Sequence, residues 1–183
     1  MAWLKTLIAA AALAALIAGP ACAQRSRGGA PGSGCVRESR AGLLAESTGG
    51  RIILDDGAER VTLTSVCGEP LASRVRRGEG RRFILLVDDL RAERPTGAVF
   101  SLHLEEPSGG EPDGVLGSLS FFAARPPAAP GATRRVSYDV TATVRGLVEA
   151  GRLEQGLVVL LRPSGRPSPG AMASVSRLQL VEQ

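Results

Sequence analysis

From residue 51 onward the apolar residues fall in short runs, mostly at every second position, and Gly, Pro or acidic residues interrupt them. A period of two is that of a β-strand, whose successive side chains point to opposite faces. Ile52-Ile53-Leu54 ends at a turn, Asp55-Asp56-Gly57, and Val61 and Leu63 then alternate with Thr62 and Thr64. Between Arg82 and Leu90, Phe83, Leu85 and Val87 take one face while Ile84 and Leu86 fill the other. A strand apolar on both faces belongs in the middle of a packed structure. In 97–105 the pattern sends Ala98, Phe100, Leu102 and Leu104 inward, with Val99, Ser101, His103 and Glu105 outward. The segment 115–122 reads as a strand with Val115, Leu119 and Phe121 on the core face and Leu116 and Phe122 on the other. Arg134 to Val140 turns Val136 and Tyr138 inward, and Leu157 to Leu161 is apolar throughout. In 173–181 the spacing of Val175, Leu178 and Leu180, three and then two, predicts a β-bulge near Ser176-Arg177.

One segment changes period. Val144, Leu147 and Val148 fall at helical spacing, which predicts a short helix over 141–150, started by Asp139 or Thr141 and closed by Gly151. Leu43 and Leu44 suggest a single helical turn, and the run RVRRGEGRR, Arg74 to Arg82, reads as a solvated loop. About eight strands and one helix make the chain all-β: an antiparallel two-sheet β-sandwich of jelly-roll type. The absence of an internal sequence repeat argues against solenoids and propellers.

The N-terminus stands apart from this pattern. Lys5, the apolar run Leu7 to Ala18 and the small-x-small triplet Ala21-Cys22-Ala23 have the form of a secretory signal peptide over residues 1–23. The apolar run falls short of the ~20 residues that a transmembrane helix needs. A lipoprotein would use Cys22, but Gly19-Pro20-Ala21 lacks the large aliphatic residue expected upstream. Residues 24–34, QRSRGGAPGSG, contain no large apolar side chain and read as a tether, leaving 35–183 as a single domain. The expected location is periplasmic or secreted, with no stable membrane anchor after cleavage. Export leaves two cysteines, Cys35 and Cys67, and an even pair in an oxidising compartment predicts a disulfide.

Charge narrows the field of functions. The 22 basic residues stand against 18 acidic ones, and Lys5, the one lysine, leaves with the leader, so the mature chain carries about +3. That excess is too small to argue for nucleic acid. His103 is the one histidine, whereas a Zn or Cu site needs three or four N or S ligands. No G-x-S-x-G elbow, P-loop or GxGxxG is present. The acidic pairs Asp55-Asp56, Asp88-Asp89 and Glu105-Glu106 would suit glycoside hydrolysis or Ca²⁺ only if held at the right separation. Each of them sits at a strand end or in a turn. The expectation is a chain without catalytic residues, metal or cofactor.

Two features remain as candidates for partner binding. Arg74, Arg76, Arg77 and Arg81 lie in the densest run of charge and would suit an anionic glycan or cell surface. Phe122 stands beside Phe121 in a chain with four phenylalanines and one tyrosine. Two consecutive rings of a strand cannot enter the same core. Phe121 is therefore expected inside, and Phe122 needs a cover from the helix 141–150, from the Pro126-Pro127 connection, or from a partner protein.

The order of motifs, "FILLVDDL", "AVFSLHLEEP", "VLGSLSFF", "VSYDVTATVRGL", "GLVVLLRPSG" and "ASVSRLQL", resembles the C-terminal β-sandwich domain of bacterial tyrosinases and plant polyphenol oxidases. The copper domain that precedes it in that family would need six histidines, so this chain is not itself a tyrosinase. What the resemblance implies is a non-catalytic module that docks on and shields a separate copper oxidase, or another exported protein, in trans.

Overall fold

A two-residue period becomes a strand where neighbouring strands satisfy its backbone groups, and here antiparallel pairing does so almost throughout. The computed structural model describes residues 42–66, 68–94, 96–105, 109, 114–122, 134–153 and 156–183, all within the unit Gly32–Gln183. The leader, the tether, Cys35, Cys67, Glu106 and the Pro126-Pro127 connection lie outside the described residues. The strands are β1 (Leu43–Ser47), β2 (Ile52–Leu54), β3 (Glu59–Ser65), β4 (Phe83–Asp88), β5 (Arg91–Ala92), β6 (Val99–Glu105), β7 (Gly117–Ser120), β8 (Arg135–Asp139), β9 (Leu157–Ser164), β10 (Ala173–Val175) and β11 (Arg177–Glu182). Two helices, α1 (Leu71–Arg77) and α2 (Thr141–Glu149), complete the set.

The fold is all-β, antiparallel and sandwich-like, built from two sheets. The larger has the order β7-β6-β9-β3-β1-β11-β4-β8 and the smaller the order β2-β10-β5. The two end strands of the large sheet meet through side chains. The Tyr138 hydroxyl, on β8, donates to the Ser118 carbonyl on β7 at 2.7 Å. The tyrosine ring lies so close to Gly117 that a Cβ there would collide with it. The sheet therefore curls back on itself around the core, and glycine at 117 makes the closure sterically possible.

The core is lined by the faces that alternation predicts. Phe83, Leu85 and Val87 of β4 are buried, as are Phe100, Leu102 and Leu104 of β6, with Ala98 just before β6. Phe121 meets Phe100 edge to face, with ring centroids 5.7 Å apart and planes at 85°. Helix α2 starts where Asp139 accepts a hydrogen bond from the Thr141 amide at 3.0 Å. It stops at Gly151, whose φ of 69° is one that glycine adopts without strain.

Six expectations need correction. The strands number eleven among the described residues, and there are two helices. Leu43 and Leu44 form strand, because β1 pairs with β11 on one side and β3 on the other; tertiary pairing outweighs a weak local signal. Arg74 to Arg77 belong to α1, whose buried residues are Leu71, Ala72 and Val75. In the 115–122 segment only Gly117–Ser120 is strand. Val115 lies before it and is 65% exposed, while Leu116 packs on the core. Glu105 is buried, because Arg60 of β3 reaches its carboxylate at 2.8 Å.

The sixth correction concerns the bulge expected near Ser176: the register carries no extra residue there, and the chain changes sheet instead. β10 pairs with β5 in the small sheet and β11 pairs with β4 in the large one. The pairs Ser174↔Arg91 and Arg177↔Asp88 belong to one continuous register. A single two-stranded ribbon thus runs through both sheets and bends between them. At the bend Asp89 adopts φ 56°, a left-handed conformation that Asp tolerates better than most residues. Opposite it, the Ser176 amide and hydroxyl both donate to the Asp88 carbonyl, at 2.9 and 3.1 Å.

Candidate functional site

The end of β7 presents the most exposed apolar group among the large hydrophobic residues described. Phe121 is 2% exposed and Phe122 is 86% exposed. The helix expected as its cover does not shield it. The Phe122 amide donates to the Ser120 hydroxyl at 3.4 Å, which holds the chain as it leaves the strand. Val99 of β6 lies in register with Ser120 and is itself 38% exposed. Val115, ahead of the other end of β7, adds a further exposed apolar side chain. β7 ends the large sheet and carries no charged residue. Charged side chains on an end strand are a common guard against unwanted strand pairing, and β7 lacks that guard. Its Ser118 carbonyl is occupied by the Tyr138 hydroxyl.

The arginine run is tied largely to its own protein. Arg74 is half-buried and donates through Nη1 to the Leu44 carbonyl and through Nη2 to the Leu43 carbonyl, both at 2.8 Å. Those carbonyls sit where the β1 register against β11 slips between Leu43 and Ala45, so Arg74 satisfies acceptors at an irregular point of the ladder. Burial lowers its pKa, and Glu69 opposes that shift. Arg77 pairs with Glu69 through two hydrogen bonds, one of them 2.6 Å from Nη2; these hold the Glu69 carboxyl below its ordinary range. Arg81 lies 3.7 Å from the Glu182 carboxylate, and its carbonyl accepts a hydrogen bond from Arg145 of α2. Arg76 is exposed on the helix surface. Arginines in the last turn also complement the negative end of the helix dipole. The signal that reveals α1 is the spacing of Leu71, Ala72 and Val75, which the surrounding charge obscures.

The acidic pairs separate into individual roles. Asp55 accepts the Gly57 amide at 2.9 Å and closes the β2–β3 turn. With Asp56 and Arg166 it borders an open depression of about 600 Å³ beneath the loop Gly165–Ala171. Asp88 is buried and gripped by Arg135 and Arg177, its register partners on the strands either side. Asp89 is held by Arg91, with both contacts at 2.9 Å. These carboxylates neutralise arginines instead of facing each other across a cleft. The His103 ring lies on the outer face of β6, with Nε2 3.1 Å from the Ser101 hydroxyl. That hydroxyl donates in turn to the Arg162 carbonyl. Among the described residues no three His, Cys, Asp or Glu side chains are grouped so as to hold a metal ion. No helix among them is long and apolar enough to cross a membrane.

No protein-family model matches the chain, and no curated protein matches it.

Proposed function

We propose that the chain is an exported, non-catalytic module that docks on a separate protein, and that its partner is a copper oxidase of the tyrosinase type. The docking reading is carried by Phe122, an 86% exposed ring at the end of an uncharged terminal strand. Exposed aromatics are favoured interface anchors, because they bury a large area while losing few rotamers. Val99 and Val115 extend the apolar surface at either end of β7. The choice of an oxidase rests on the resemblance in motif order to the tyrosinase C-terminal domain. An anionic glycan or cell surface gripped by Arg74, Arg76, Arg77 and Arg81 has less behind it, since Arg74, Arg77 and Arg81 are tied to groups of their own protein.

The test is affinity capture from the exported proteins of the native host, using the wild-type chain and Phe122→Glu. The expected result is a copper-containing oxidase bound by the wild type and lost in the variant, with diphenol oxidation slowed when the wild-type chain is added in trans. Equal capture by both forms removes Phe122 as the anchor. Recovery of no copper protein, with no effect on oxidase activity, overturns the choice of partner. Export itself is tested by the mass of the mature chain: it should begin at Gln24 and show no free thiol, and a free pair at Cys35 and Cys67 would remove the disulfide.

A further inference from the structure

The last strand of a sheet leaves backbone groups unpaired, and charged side chains commonly keep a second strand from pairing there. Among the described residues, three of the four end strands have such charges in them or beside them. β8 carries Arg135 and Asp139, β5 carries Arg91, and β2 is flanked by Arg51 and Asp55. β7 is the exception. The chain is uncharged from Val115 to Ala124, and the Ser118 and Ser120 side chains are exposed.

A single side chain occupies the β7 edge instead. Backbone groups of alternate residues in an antiparallel strand face opposite neighbours. The Ser118 carbonyl turns away from β6 and accepts the Tyr138 hydroxyl of β8 at 2.7 Å. Ser120, two residues on, belongs to the same outward set. The tyrosine ring lies against Gly117 so closely that a Cβ at 117 has no room. Tyr138 also packs on the core, as Val136 does, so the ring is held from within. Burial raises its pKa to about 12, which keeps the hydroxyl a donor throughout the neutral range.

We propose that Tyr138 is the guard of this edge: by capping the Ser118 carbonyl and covering Gly117, it keeps β7 from pairing with the β7 of a second copy of the chain. An identical strand is the fitting intruder, because two copies of Gly117–Ser120 laid antiparallel about a two-fold axis oppose no like charges. Such pairing calls on the outward backbone groups of Ser118 and Ser120, and the Ser118 carbonyl is already taken. The glycine at 117 then has two uses: it lets the sheet curl, and it lets the ring lie flat on the strand that it protects. This inference concerns self-association and does not rest on the partner proposed for Phe122.

The experiment is sedimentation velocity over a range of concentrations on the full mature chain, as wild type, Tyr138→Phe and Tyr138→Ala. The wild type should stay monomeric. Each variant that circular dichroism shows to be folded should dimerise, with self-association tightened about tenfold or more. Tyr138→Phe removes the hydroxyl alone, so it carries the test if Tyr138→Ala loses the fold. Ser118→Lys, at an exposed position, restores the missing charge and should return either variant to monomer. The proposal fails if no folded variant associates more tightly than the wild type. It fails equally if Ser118→Lys leaves the association unchanged, or if the wild type already dimerises and Ser118→Lys disperses it. Every variant keeps Phe122, so a failed oxidase capture and a failed guard are separate results.

Discussion

Replacing Phe121 and Phe122 by Ala removes the same ring from adjacent positions, yet one is 2% exposed and the other 86%. Phe121→Ala opens a cavity beside Phe100 and should cost about 3–5 kcal/mol. Phe122→Ala should change stability by about 0.5 kcal/mol or less. Chemical denaturation of the pair checks this; a comparable loss at both positions would mean that Phe122 is covered within the monomer. The two rings lie just past Ser120, the last residue of β7, but the alternation of buried Leu119 and Phe121 carries on across that end, and so their separation is readable in the sequence. Glu105 was not readable in the same way. Its position on the outward face is as the alternation implies, but its burial depends on Arg60, a residue of β3 that reaches across the sheet. Tyr138 offers a second test at this scale, because it is the chain's one tyrosine. Burial raises its pKa to about 12, above the value of about 10 for an unfolded chain. Its contribution to stability is therefore intact below pH ~10 and lost as the pH rises through the folded value. Absorbance of the phenolate should titrate near pH 12 in the native protein and near 10 in denaturant. A native midpoint at 10 would show that the ring is not packed against Gly117.

At the scale of elements, α1 shows why part of the pattern escaped the sequence reading. Its buried side is only Leu71, Ala72 and Val75, while its last turn is dominated by arginine. A helix of seven residues is marginal by itself, so its existence depends on what holds it. Arg74 is one such tie, since its guanidinium bonds the Leu43 and Leu44 carbonyls of β1. Arg74→Met keeps much of the aliphatic packing but leaves two carbonyls without that donor. The expected loss is about 1–3 kcal/mol, seen as a lower denaturation midpoint at unchanged m-value. Arg76→Met, which alters an exposed position in the last turn of the helix, should fall within about 0.5 kcal/mol of the wild type. Equal effects at 74 and 76 would remove the structural role assigned to Arg74. The longer helix α2 was legible because its apolar spacing, its Asp139 start and its Gly151 stop agree with one another. In α1 the apolar signal is brief and the charge points to a loop.

For the whole molecule, the informative feature is the path of the last strand. Chain termini usually tolerate truncation because few packed groups depend on them. Here the C-terminal strand β11 lies in the interior of the large sheet, between β1 and β4. It pairs with β4 from Arg177↔Asp88 to Glu182↔Phe83, and Leu178 and Leu180 are fully buried. With β10 it also forms one side of the bent ribbon that joins the two sheets. The sequence shows an offset between Val175 and Leu178 but not that the chain changes sheet there, because that depends on the partner ribbon β4–β5 bending at Asp89. Each buried leucine contributes about 1.5–3 kcal/mol. Removing the strand would also strip ladder partners from both neighbours and separate the ribbon. The combined loss is comparable with the whole stability of a domain, about 5–15 kcal/mol. A chain ending at Val175 should therefore fail to fold, giving a disordered circular-dichroism spectrum and collapsed amide dispersion. Removal of Gln183 alone should leave the fold in place, since it lies beyond the last strand residue. If the chain ending at Val175 kept native dispersion, β11 would not be the element that joins β1 to β4 in the large sheet. The placement of β11 also implies slow folding, because its pairing with β1 joins the two ends of the described chain and must wait for most of the sheet to assemble.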